Sequence, residues 1–133
     1  MSTTWRFPIK SDAVPVYRIL VIDDEPMVAD TVRLVLGADG HSVEVAHLGS
    51  EALAKLDQAR FDLVITDFAM PELKGDRLVK EIRGRNPEQK IIMLTGHAEH
   101  VAPFVNGIGV NLLLGKPFDI REFRTAIQKV MRD

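Results

Sequence analysis

The 133-residue chain has no cysteine, which excludes disulfides, thiolate metal sites and cysteine nucleophiles together. No apolar run approaches the length of a membrane span. The opening stretch MSTTWRFPIKSDAVPV also lacks the apolar centre that a secretory signal needs. The cytoplasm is therefore the expected location, with no membrane partner. Excess charge of one sign is missing too: a net charge of -2 gives no electrostatic reason to expect direct contact with nucleic acid or an anionic membrane. What is present is an ordinary balance, 46% apolar and 27% charged residues, at a length that suits one domain with a real core.

Residues 1–16 are polar, contain Pro8 and Pro15, and read as an irregular N-terminal extension ahead of a single domain over 17–133. Within that domain, strand patterns at 17–22, 42–45, 63–65, 90–95 and 110–114 alternate with helical ones. Leu63-Val64-Ile65 is apolar without alternation, the mark of a strand buried on both faces, whereas Ser42-Val43-Glu44-Val45 alternates and suits a sheet edge. Pro26 suits the first turn of the first helix, in which Val28, Val32, Val35 and Leu36 share a face and which Gly37 or Gly40 ends. Helices at 50–58, with Ser50 as its cap, and 76–85 follow. Asp119 with Glu122 forms a capping box for the last helix. Residues 96–109 are the least regular: Pro103 would break a helix running from Ala98, so a late start with Pro103 in the first turn, or a kink, is expected.

Five such alternations argue for an α/β fold, a doubly wound five-stranded parallel sheet with helices on both faces. Right-handed crossovers put every strand's C-terminal end on one edge. That edge collects Asp23 and Asp24, Asp67, Thr95 and Lys116 from strands one, three, four and five. Asp67 taken alone could simply close its strand; the other strand ends give it company. Two like charges about 4 Å apart cost roughly 4 kcal/mol at an effective dielectric near 20, so clustered acids need a cation. Mg²⁺ is the natural one, since it takes one or two carboxylates and keeps several waters. A phosphoryl group on Asp67 would then meet the metal, the Lys116 ammonium and the Thr95 hydroxyl.

The segments LVIDDEP, LVITDFAMPELKG, IIMLTGHA and GKPF, in this order and spacing, resemble the receiver domain of bacterial two-component response regulators. Each motif alone is weak; together, at matched strand ends, they are specific, and the resemblance runs from Tyr17 to about Arg132. It implies the flavodoxin-like (βα)5 three-layer sandwich with strand order 2-1-3-4-5, an order that the pattern itself does not supply. It also implies roles. Asp67 is similar to the phosphoacceptor, and it shares a Mg²⁺ site with Asp24 as direct ligand, Asp23 acting mainly through water, and the Ala69 backbone carbonyl. Thr95 resembles the switch hydroxyl and Lys116 the phosphate-contacting lysine, with Lys116-Pro117 implied to be cis.

The implied function is a single-domain response regulator that takes a phosphoryl group from a histidine kinase or phosphotransfer protein and then switches its binding to an unidentified target protein. Its only catalysis would be its own phosphorylation and dephosphorylation. The alternatives are a receiver cut from a larger regulator or hybrid kinase, and a Mg²⁺-dependent phosphohydrolase. Phosphohydrolases of that kind usually place the nucleophile after the first strand with a second acid two residues on, whereas here the acids are adjacent. Two departures concern the readout: Leu113 stands where the family often has Tyr or Phe, and Pro103 lies in the fourth helical segment, so residues 96–106 become the expected moving element. Ala69 and His97, each two residues past a site residue, are expected to flank the approach of water. His97 with His100 reads as an exposed pair and not a metal site, and Lys80, Arg83 and Arg85 as a solvated helix face.

Overall fold

A computed structural model describes residues 15–105, 107 and 109–133. In chain order its elements are β1 (Arg18–Ile22), α1 (Pro26–Ala38), β2 (Ser42–Ala46), α2 (Gly49–Gln58), β3 (Leu63–Asp67), α3 (Gly75–Arg85), β4 (Lys90–Thr95), α4 (Ala98–Val105), β5 (Leu112–Gly115) and α5 (Ile120–Arg132). All strand pairs are parallel, in the order β2-β1-β3-β4-β5. Residues 1–14 of the expected extension, and position 106 at the end of the expected moving element, lie outside the described residues.

Alternation along each strand sends successive side chains to opposite faces, and this splits the core in two. Ile19, Val21, Leu63, Ile65, Ile92 and Leu94 pack with Val32 and Leu36 of α1 and with Phe123, Ile127 and Val130 of α5. On the other face Leu20, Ile22, Val64, Ile91 and Met93 meet Ala52 of α2, Leu78, Val79 and Ile82 of α3, and Val101 of α4. β3, central and covered on both sides, is buried along its whole length. β2 lies at an edge, as its alternation requires. The capping box of α5 is present, with Asp119 accepting from the Glu122 N–H at 2.7 Å and Glu122 accepting from the Asp119 N–H at 3.1 Å.

The register aligns the strand ends. Ile22 pairs with Thr66, so Asp23 follows level with Asp67; Asp67 pairs with Leu94, and Thr95 with Gly115. Four chain segments that the sequence keeps far apart therefore finish side by side.

Four sequence expectations are corrected. β5 begins at Leu112, not at 110, because the Asn111 side chain takes over as acceptor for the Ile91 N–H at 2.8 Å where a strand would offer its backbone carbonyl. α4 does start at Ala98, with Pro103 in its last turn. The start is held by the His97 carbonyl, which accepts from the N–H groups of His100 and Val101. A proline that late in a short helix removes only one intrahelical bond. Ser50 is not the cap of α2: the N-cap is Leu48, and Ser50 lies inside the first turn. Arg83 is not part of a solvated face. It is half-buried, and its guanidinium donates to the carbonyls of Gly109, Pro87 and Gln89 and to Asn111 Oδ1. Burial pushes its pKa down.

Candidate functional site

At the C-terminal edge of the sheet β1 runs out into Asp23 and Asp24. Asp23 is 2% exposed, and its Oδ1 accepts from the Glu25 N–H at 2.9 Å. That short turn orients the carboxyl and delivers the chain to Pro26, the first residue of α1. Asp67 ends β3 at 6% exposure, and the Phe68 N–H that follows is held by the Leu94 carbonyl at 3.0 Å. Thr95 ends β4 at 3% exposure. Its hydroxyl oxygen accepts from the His97 N–H at 3.1 Å, and its carbonyl accepts from the Lys116 N–H at 2.7 Å. The Lys116-Pro117 peptide is cis, as the resemblance implied.

These residues converge. Asp23, Asp24 and Asp67 each present an oxygen, all within 4.8 Å of one another. Lys116 Nζ stands 3.6 Å from Asp67 Oδ1. Burial pushes the Asp67 carboxyl above its ordinary pKa, while the Lys116 charge and then the N–H groups of Phe68 and Ala69 pull it back. Burial also raises Asp23, opposed by the Glu25 N–H and reinforced by the Asp67 charge. One ammonium thus faces three carboxylates, and both buried acids are held in an environment that disfavours their charged form.

The donor set fits a hard divalent cation. Ligands on one octahedral Mg²⁺ stand about 3 to 4 Å apart, given bonds of roughly 2 Å. The spread of the three carboxylate oxygens is close to that before any adjustment. Their oxygen-only chemistry, partial burial and unbalanced negative charge all favour such an ion.

Ala69 and His97 are both exposed at the rim. The His97 and His100 rings lie 6.3 Å apart, tilted, on the surface. Sequence reasoning missed His47, half-buried after β2, whose Nδ1 lies 3.0 Å from the Asp23 carbonyl. It also missed Glu72, whose carboxylate reaches the start of α2. Neither sits in a periodic pattern, and each reaches backbone groups remote in sequence, so no local signal marks them.

A family profile for the response regulator receiver domain matches residues 19–128. Response regulator MprA of Mycobacterium tuberculosis is 35% identical over 117 residues, covering 86% of this chain and 50% of that protein. The chain spans about half the length of the curated relatives it matches. Among solved structures, chemotaxis response regulator CheY4 of Vibrio cholerae superposes with a TM-score of 0.81 at 32% identity, covering 87% of this chain and 99% of that one. Response regulator TrrA of Thermotoga maritima, in complex with Mg(2+)-BeF, gives a TM-score of 0.78 at 33% identity over 85% of this chain and 97% of that one.

Proposed function

Because the chain belongs to the response regulator receiver domain family, whose members are signalling proteins of two-component systems, we propose that it is a phosphorylation-operated switch with Asp67 as its acceptor. The observation that carries this reading is the convergence of Asp23, Asp24 and Asp67 within 4.8 Å, with the Lys116 ammonium against Asp67.

An Asp67 carboxylate oxygen attacks the phosphorus of a donor, a phosphohistidine on a kinase or phosphotransfer protein or a small acyl phosphate. A new O–P bond forms, the donor's P–N or P–O bond breaks, and the leaving group keeps the electron pair and takes up a proton as needed. Lys116 offsets charge on the transferring oxygens, and Thr95 supplies a hydroxyl to them, its own oxygen meanwhile accepting from His97. Asp24, Asp67 and the Ala69 carbonyl, with Asp23 acting through water, would hold a Mg²⁺, which would supply positive charge to offset that of the phosphoryl oxygens. Water later attacks the acyl phosphate, returning the Asp67 carboxylate and inorganic phosphate. The phosphorylated form binds a target protein differently from the free form. The domain extends over 17–133, as a protein in itself or as the receiver part of a longer regulator.

The test is incubation with acetyl phosphate and Mg²⁺, then mass spectrometry of peptides. The expected result is one phosphoryl group per chain, on Asp67, that is lost when Mg²⁺ is chelated beforehand. Modification at another residue, or labelling indifferent to Mg²⁺, contradicts the reading.

A further inference from the structure

α2 begins without a cap of its own. Its N-cap residue is Leu48, which offers no side-chain acceptor, so the first-turn N–H groups need partners from elsewhere. One partner comes from the loop between β3 and α3: the Ser50 N–H and the Ser50 hydroxyl both donate to the Glu72 carboxylate, at 3.0 Å each. Next to this pair Leu73 packs on Gly49 so closely that a Cβ there would stand 2.9 Å from the Leu73 side chain.

The same loop carries Ala69. One end is tied to β4, since the Phe68 N–H donates to the Leu94 carbonyl, and the loop is closed where the Gly75 N–H returns to the Phe68 carbonyl at 2.9 Å. Met70 is buried in the core below. Glu72 and Leu73 then set the loop's lateral position against α2. A carboxylate suits that place because the N-terminal turn of a helix favours an anion, and hydrogen bonds to an ionised acceptor are the stronger kind.

We propose that Ser50 and Glu72 are positioning residues for the cation site, holding the β3–α3 loop so that the Ala69 carbonyl joins the oxygens of Asp23, Asp24 and Asp67. The inference rests on the phosphoacceptor reading above and extends it to a pair that touches neither cation nor phosphoryl group. A rival cause is simple charge, the Glu72 carboxylate attracting the cation from a distance. Glutamine separates the two, since it keeps an acceptor for the Ser50 N–H and a partner for the hydroxyl while losing the charge.

The experiment is a Mg²⁺ titration of the full chain, followed by acetyl phosphate labelling across a range of Mg²⁺ concentrations, with thermal unfolding recorded in parallel. Glu72→Ala is expected to weaken Mg²⁺ binding about tenfold, the low end for losing a group that orients a ligand. Labelling should recover at saturating Mg²⁺. Ser50→Ala should lose less, because the backbone N–H remains, and Glu72→Gln, which keeps the hydrogen-bond geometry, should lose clearly less than Glu72→Ala. Native Mg²⁺ affinity in Glu72→Ala overturns the proposal, even if that variant unfolds at lower temperature. Equal losses in Glu72→Gln and Glu72→Ala overturn it in favour of charge. A native chain that neither binds Mg²⁺ nor is labelled overturns the phosphoacceptor reading, and this inference with it.

Discussion

Asp67 and Asp23 are both buried at their strand ends, and the Asp67 charge adds to the effect of burial on Asp23. Their folded-state pKa values are raised, by burial first. Between the ordinary carboxylate value and the raised one, the native state holds protons that the unfolded chain has released. Stability therefore falls as pH rises through that window, and the deficit persists at neutral pH. Asp67→Asn should thus unfold at a higher temperature than the native chain near neutral pH in the presence of a chelator. The gap should shrink toward the pH of ordinary carboxylate titration and also when Mg²⁺ is added. Paired thermal scans across pH check this, and a variant less stable at neutral pH goes against it. These acids were legible in the sequence because each ends a run of apolar strand residues. His47, beside the Asp23 carbonyl, and Glu72, at the start of α2, were not, because a polar side chain that reaches a remote backbone group leaves no periodicity behind.

Among the elements, α3 shows how far a helical pattern can be trusted. Leu78, Val79 and Ile82 fall inward as their spacing requires. The spacing says nothing of Arg83, which bonds to the turn after α3 and to the segment leading into β5. Gly109, at φ +95°, leaves room for that guanidinium, since a Cβ there would come within 2.6 Å of Arg83 Nε. Arg83→Met keeps much of the aliphatic stem but strips the donors from several carbonyls. It should lower stability by about 2 kcal/mol, in line with hydrogen bonds to charged groups, while Mg²⁺ affinity at the opposite edge stays unchanged. Urea unfolding and a Mg²⁺ titration of the variant measure the two halves. The same contact explains why the start of β5 was misplaced in the sequence: Asn111 and Gly109 serve Arg83 and Ile91, and no strand propensity records that duty.

Across the whole molecule, the fold class and strand roles could be read because a buried parallel strand and an edge strand differ in hydrophobic pattern. The order β2-β1-β3-β4-β5 could not be read from pattern, since all five strands satisfy the same local rules; it came through family resemblance. The sheet brings its chemistry to one edge and leaves α4 and β5 beside it, tied to Thr95 through the His97 N–H and the Lys116 N–H. Between α4 and β5 lies a groove of about 570 Å³ lined in part by Ala102, Pro103, Leu112 and Leu113. With Leu113 in place of an aromatic ring, the proposed readout is displacement of the segment after β4 and not rotation of a side chain. The most direct test is amide NMR of the native chain and Asp67→Asn, each with Mg²⁺ and beryllofluoride as the phosphoryl mimic. The account predicts shifts in the native chain at Asp67, at Thr95 and along residues 96–105, and none of them in Asp67→Asn. Equal shifts in the variant, or a native response that leaves Thr95 and the segment after it unmoved, would contradict it.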